Sequence, residues 1–185
     1  MNVWVVIAAY NEAKVIRSVV RSVVSAYPDF SVVVVDDHSR DATSEEARLG
    51  GATTLRHCVN QGQGAALQTG TTFALRNGAD AIIHFDADGQ HQASDIPKFL
   101  AALESGCDVA LGSRFLGSAV NMPLLKRCIL KIGTLFTWMF SGIKLTDTHN
   151  GFRALTRAAA HRITIQENRS AHASEILHDI HQYGL

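Results

Sequence analysis

Asp86-Ala87-Asp88-Gly89-Gln90 places two carboxylates and an amide oxygen within five residues, directly after the apolar run Ala81 to Phe85. Oxygen donors of this hardness suit Mg²⁺ or Mn²⁺ held between a protein and phosphate groups. If the chain stays extended here, alternation puts Asp86, Asp88 and Gln90 on one side. Asp and Gly are also ordinary turn residues, so the pentapeptide alone fits a solvated turn as well.

Further polar clusters punctuate the chain in the same way. Asp36-Asp37-His38-Ser39-Arg40-Asp41 follows an apolar run, and its acids could accept hydrogen bonds from a ribose or a base edge. Asn60-Gln61-Gly62-Gln63-Gly64 precedes an alanine-rich helical stretch, where backbone amides could come close to phosphate. It is not a dinucleotide fingerprint, which would put its glycines after the first strand. Gly112-Ser113-Arg114-Phe115 offers a guanidinium suited to a phosphate. Asp147-Thr148-His149-Asn150-Gly151-Phe152-Arg153 is too polar to read as packing and could supply a general base and a second anion clamp.

The elements that must position these clusters are short valine-rich runs alternating with longer mixed stretches, the pattern of repeated strand-helix units. Strands are expected at Val3 to Ala9, Ser31 to Asp36, Ala52 to His57, Ala81 to Asp86 and Asp108 to Gly112. Val32-Val33-Val34-Val35 is apolar without alternation, so helices should cover both of its faces in a parallel sheet. Asp41 is expected to cap a helix whose first turns hold Glu45 and Glu46, and Ser94 to cap one before Asp95 and Pro97. After Gly112 the rhythm stops, leaving a loop, the segment Met122 to Gly142 and the polar stretch at Asp147. The length fits a single domain over residues 1–185, and the final Tyr183-Gly184-Leu185, following a helical stretch without a closing strand, suggests truncation at the C-terminus.

At 185 residues the chain can bury a single core, and its 17 basic and 17 acidic residues cancel. That balance lacks the positive footprint needed to hold a nucleic-acid backbone. Cys58, Cys107 and Cys128 read as reduced core thiols rather than a disulfide framework. No signal peptide opens the sequence and no apolar run is long enough to span a bilayer. Phe136, Trp138 and Phe140 beside Lys126, Arg127, Lys131 and Lys144 suit either a packed helix or peripheral membrane contact.

Taken together, Ala9-Tyr10-Asn11-Glu12, Val35-Asp36-Asp37-His38-Ser39, Asn60 to Gly64, Asp86-Ala87-Asp88, Gly112 to Phe115 and Asp147 to Arg153 resemble the family 2 glycosyltransferases, in that family's order. The likeness is to the dolichyl-phosphate mannosyltransferase-like branch. It implies an α/β nucleotide-diphosphate-sugar transferase fold (glycosyltransferase type A), with a mainly parallel central sheet flanked by helices. It implies Mg²⁺ or Mn²⁺ on Asp88 and Gln90 with Asp86 beside them. Ala9, Tyr10, Glu12 and Asp37 would line the nucleoside pocket. Asp36, Gln61, Gly64, Asp86 and Ala87 would complete the donor site, and Arg114 and Arg127 would face phosphates. Asp147, Arg114 and Glu175 are the implied catalytic residues. Two departures stand out: Gln63 replaces a frequent lysine, and His38 stands where glycine is usual.

Glu175 and His178 have the spacing of di-iron helices, but that chemistry needs a second such pair. A glutamate near the acceptor end is the better reading of Glu175, with His172 a lesser candidate. The expected activity is inverting, metal-dependent transfer of a sugar from a GDP- or UDP-linked donor to a polyprenyl phosphate or a hydroxyl acceptor. The setting would be glycolipid or envelope polysaccharide synthesis, in the cytoplasm at the inner face of the membrane. The rivals are a noncatalytic nucleotide-binding module and a sugar nucleotidyltransferase. The second would require a glycine-rich basic loop after the first strand, where Ala8-Ala9-Tyr10-Asn11-Glu12 stands.

Overall fold

The computed structural model describes residues 1–112, 151–167 and 171–185. The strands are β1 (Val3–Ala9), β2 (Ser31–Asp36), β3 (Thr53–Arg56), β4 (Ala81–His84), β5 (Val109–Leu111) and β6 (Arg153–Thr156). The helices are α1 (Ile16–Ala26), α2 (Thr43–Gly50), α3 (Gln63–Arg76), α4 (Ile96–Glu104), α5 (Arg157–Arg162) and α6 (Ala171–Tyr183). The strands form one sheet in the order β3-β2-β1-β4-β6-β5. β1, β2, β3 and β4 pair in parallel, whereas β6 runs antiparallel to both β4 and β5. The expected mainly parallel α/β sheet is present, with one strand the sequence reading did not contain. Arg153-Ala154-Leu155-Thr156 is too brief and too close to the polar stretch to announce a strand, and it inserts between β4 and β5 out of chain order.

The valine run behaves as its pattern requires. Val32 and Val34 are buried in one core, Val33 and Val35 in the other, so β2 is covered on both faces. On the first face lie α1, α2 and α4, with Ile16, Val19, Val20 and Val23 forming a helical apolar stripe. The second face is covered by α3, α5 and α6 through Ala66, Leu67, Ala159 and Ile176. A full burial of one such aliphatic side chain stabilises the fold by about 1.5–3 kcal/mol. α3 crosses β1 closely because Gly70 has no side chain: a Cβ there would lie 2.4 Å from Val6 Cγ1. That approach brings the start of α3 to the carboxyl ends of β1 and β2.

Several local expectations are corrected. Ala42, not Asp41, is the N-cap of α2. Asp41 stands one residue earlier, where Oδ1 accepts the Thr43 amide at 3.1 Å and Oδ2 accepts the Ala13 amide at 3.2 Å. Ser94 lies within a 3₁₀ turn, Ala93–Asp95, and Asp95 precedes α4. β4 ends at His84, and the chain turns at Ala87 and Asp88, with Gly89 at φ 77°, instead of continuing extended through Gln90. Cys58 and Cys107 are exposed rather than in the core, and Cys128 lies outside the described residues. The segment Met122 to Gly142 also lies outside them. Among the described residues, no helix is long and apolar enough to cross a membrane.

Candidate active site

In the sheet order, β1 separates strands that wind in opposite directions, which makes its carboxyl end the place where open α/β sheets receive ligands. A cleft of about 390 Å³ opens there. Its walls come from the ends of β1, β2 and β4 and the start of α3. Ala9, Tyr10, Glu12, Asp37, Asp86, Ala87 and Asp88 line it, as does Gln63 at the start of α3. Tyr10 keeps much of its ring exposed at the rim, whereas Asp37 is almost wholly buried.

The first two loops are laced together. Asn11 N–H donates to Ser39 Oγ (2.9 Å), Glu12 N–H to Thr43 Oγ1 (2.8 Å), and Arg40 N–H to Asn11 Oδ1 (2.9 Å). Asn11 and His38 both adopt left-handed backbone, with φ of 57° and 65°. That geometry costs His38 more than it would cost glycine.

Asp36 and Asp37 separate in role. Asp36 is fully buried beneath its loop, where its carboxylate accepts the Ser39 amide (2.8 Å) and the Ser44 hydroxyl, with Arg56 Nε at 3.6 Å. It shapes the loop without forming the cleft wall, unlike the donor contact expected of it. Asp37 does form the wall, and the third motif closes on it. Gln61 N–H donates to Oδ1 (2.8 Å), Gly62 N–H to Oδ2 (2.6 Å), and Asn60 Nδ2 to the Asp37 carbonyl (3.0 Å). The amides expected to meet phosphate at Gln61 and Gly62 are therefore spent on Asp37. Gly64 serves packing, since a Cβ there would fall 2.1 Å from the Glu167 carbonyl oxygen and 3.2 Å from His172 Cβ.

Asp86 is held from several sides. Its own N–H donates to His91 Nδ1 at 3.1 Å, while His91 Nε2 lies 3.3 Å from Asp86 Oδ2. With Nδ1 accepting, the ring proton is assigned to Nε2, facing the carboxylate. His91 stacks on Phe152 (centroids 4.9 Å) and meets Phe85 edge-on (5.3 Å), so an aromatic nest fixes the ring. Gly151 presses on the carboxylate from elsewhere: a Cβ on it would lie 2.3 Å and 2.4 Å from the Asp86 oxygens.

Arg153, next to His84 in the β4–β6 ladder, is buried, and its Nη1 has no hydrogen-bond partner among the described residues. Burial pulls the Arg153 guanidinium down to about 10, against the attraction of Asp86. His84 is pushed down to about 3 by burial first, then by Arg153 and His172, so it is neutral; its Nε2 meets Thr71 Oγ1 at 2.9 Å.

Burial raises the pKa of Asp86; His91, Arg153 and His172 oppose that shift while Asp88 adds to it. Glu12 is raised by burial, then by Asp88 and Asp41. Asp88 thus repels both Asp86 and Glu12 across the cleft, and a cation placed beside it would relieve that repulsion. Their oxygens are the hard donors that Mg²⁺ or Mn²⁺ takes. Even so, no group of three or more His, Cys, Asp or Glu is already arranged around a metal position among the described residues. Gln90 is exposed and absent from the cleft wall, and its amide donates to Asp88 Oδ1 at 2.9 Å.

Glu175 is engaged with backbone: Oε2 accepts the amides of Gln166 (2.9 Å) and Glu167 (2.8 Å) and so pins that loop to α6. Asp147, Arg114 and Arg127 lie outside the described residues. His57, His91 and Gly151 were not singled out as individual site residues in the sequence. His57 directly follows β3 and His91 lies beyond the turn after β4, and a lone histidine in either place carries little signal.

A family model described as Glycosyl transferase family 2 matches residues 4–164. An uncharacterised protein of Methanocaldococcus jannaschii is 38% identical over 191 residues, covering 100% of this chain and 77% of that one. The undecaprenyl-phosphate mannosyltransferase of Micrococcus luteus is 33% identical over 161 residues, covering 83% of this chain; the chain spans 66% of that relative's length. Among solved structures, glucosyl-3-phosphoglycerate synthase from Mycobacterium tuberculosis, in complex with Mn²⁺, UDP-glucose and phosphoglyceric acid, superposes with a TM-score of 0.77 at 20% identity. It covers 98% of this chain and 65% of its own. At that identity the likeness speaks for the fold alone.

Proposed function

The chain belongs to glycosyl transferase family 2, and from that premise we propose that it transfers a sugar from a nucleotide-diphosphate donor to a polyprenyl phosphate, with inversion and with Mg²⁺ or Mn²⁺. The observation that carries the reading is the convergence of Asp37, Glu12, Asp86 and Asp88 in one cleft at the switch point of the sheet. The mannosyltransferase of Micrococcus luteus, named for undecaprenyl phosphate, supports the acceptor.

Tyr10 and Asp37 receive the nucleoside, Tyr10 by its exposed ring and Asp37 by its carboxylate. Asp88 and Gln90 would hold the cation, with the Asp86 carboxylate beside them and Glu12 facing Asp88 across the cleft. A bound divalent ion supplies neutralisation of the charge that gathers on the departing diphosphate. His91, Gly151 and Arg153 keep the Asp86 carboxylate in place, and the fixed position spares reorganisation during the reaction. Arg114 and Arg127 are assigned to the phosphates.

The acceptor oxygen attacks the anomeric carbon on the face opposite the diphosphate. The carbon–oxygen bond to the diphosphate breaks as the new one forms, and the electron pair leaves with the nucleoside diphosphate. An ionised phosphate acceptor needs no base, in which case Asp147 positions ligand. A hydroxyl acceptor would require Asp147 to take its proton, since the Glu175 carboxylate is engaged with backbone amides. The acceptor lipid would bring the protein to the cytoplasmic face of a membrane.

The test is transfer of radiolabelled sugar from UDP- and GDP-linked donors into the lipid phase, with polyprenyl phosphate in detergent and Mn²⁺ or EDTA. Label in the lipid that EDTA abolishes is expected. Nucleotide binding without any lipid label would remove the acceptor assignment.

A further inference from the structure

We propose that His57 is a positioning residue for Asp37 and that, by occupying one oxygen of that carboxylate, it restricts the donor to a base offering a single ring N–H, which is uracil rather than guanine. The inference rests on the reading of the cleft as a nucleotide site.

His57 stands just past the end of β3, and its side chain is only 8% exposed. Nδ1 lies 2.7 Å from Asp37 Oδ1 and Nε2 lies 3.0 Å from Thr69 Oγ1, on α3. A carboxylate oxygen paired with Nδ1 can only accept, so Nδ1 carries the proton and Nε2 takes the Thr69 hydroxyl proton. The ring is thereby fixed at both nitrogens. The backbone of Asp37 is fixed as well, because its N–H donates to the Ala9 carbonyl at 2.9 Å and its carbonyl accepts from Asn60.

Each carboxylate oxygen accepts about two hydrogen bonds, roughly four in all. Oδ1 already receives His57 Nδ1–H and the Gln61 amide, and Oδ2 receives the Gly62 amide. Among the described residues, one acceptor position is left, on Oδ2. Uracil presents one imide N–H flanked by carbonyls and needs one such position. Guanine presents N1–H and N2–H side by side, which pair with a carboxylate through both oxygens, and Oδ1 has no position left. Cytosine turns a bare ring nitrogen toward the carboxylate and is repelled. A site that leaves a substrate donor unpaired discriminates strongly against that substrate.

The experiment is calorimetric titration of UDP, GDP and CDP with Mn²⁺ into the wild-type chain, His57→Phe and His57→Asn, with thermal melts of each. UDP should bind at least about tenfold more tightly than GDP in the wild type. In His57→Phe the freed Oδ1 should bring the UDP-to-GDP ratio toward one, while His57→Asn, which still offers an N–H, should keep most of the preference. A purely structural His57 would lower the melting temperature and leave the ratio unchanged, and that result overturns the proposal. GDP binding as tightly as UDP in the wild type overturns it without any variant. If no nucleotide binds, the nucleotide reading of the cleft falls and this inference with it.

Discussion

Gly151→Ala places one methyl group against the carboxylate on which the metal reading depends. The added Cβ would lie 2.3 Å from Asp86 Oδ1, 2.4 Å from Oδ2 and 2.6 Å from Cγ. Non-bonded carbon contacts settle at about 3.5–4.0 Å, so something on the order of 1 Å must give. His91, stacked on Phe152, which stacks on Phe99, resists a shift of Asp86 to its side, so the carboxylate would be displaced toward the open cleft. Overpacking of this kind costs about 1–3 kcal/mol of stability. A misplacement of about 1 Å at a reacting site can cost on the order of 100-fold in rate. Mn²⁺-dependent nucleotide binding, followed by calorimetry alongside a thermal melt, should therefore weaken by about ten- to 100-fold, or about 1.4–2.8 kcal/mol, in a protein that still unfolds cooperatively. Unchanged metal-dependent binding in folded Gly151→Ala would mean that the position of Asp86 does not matter to the site.

Other outcomes follow from the same contacts. His91→Phe keeps the aromatic nest and removes both polar ties to Asp86, so the melting temperature should hold while Mn²⁺ affinity, read by the EPR signal of free ion, falls about tenfold. Equal affinity would show that His91 only fills space. Because burial and neighbouring acids raise Asp86 and Glu12, Mn²⁺ binding should fail on acidification at a pH above the ordinary carboxylate range; failure only near pH 4 would contradict this. His84 is depressed to about 3 in the fold, so the unfolded chain binds the extra proton and stability should fall as pH drops from about 6.5 toward 3. Denaturant melts of wild type and His84→Gln between pH 4 and 6 should differ in slope, and parallel lines would deny it. Glu175→Ala should speed hydrogen exchange at the Gln166 and Glu167 amides, which its carboxylate now holds; unaltered exchange would show the latch is not needed.

Much of this architecture is legible in residue types. The unbroken, β-branched Val32 to Val35 run fits a strand covered on both faces, and Glu12 after β1, Asp37 after β2 and Asp86 and Asp88 after β4 mark the ligand edge of a parallel sheet. β6 is not legible, because four residues carry no period and their place between β4 and β5 is set by long-range pairing. The separation of Asp36 from Asp37 is hidden too. Adjacent strand residues point to opposite sides, and which side becomes the cleft depends on the third motif folding back onto Asp37. The roles of His57, His91 and Gly151 arise from contacts across 20, 5 and 65 positions of chain, respectively, and spacing alone does not reveal contacts of that kind. Glu175 illustrates the converse: its residue type suggests chemistry, and its hydrogen bonds are those of a backbone anchor.

The most direct test of the central claim is calorimetric titration of UDP and GDP into wild type and Asp88→Ala, each with Mn²⁺ and with EDTA. Nucleotide binding should require the metal and disappear with the Asp88 carboxylate. Binding that is indifferent to EDTA and to Asp88→Ala, or none at all to the folded protein with Mn²⁺ present, would contradict it.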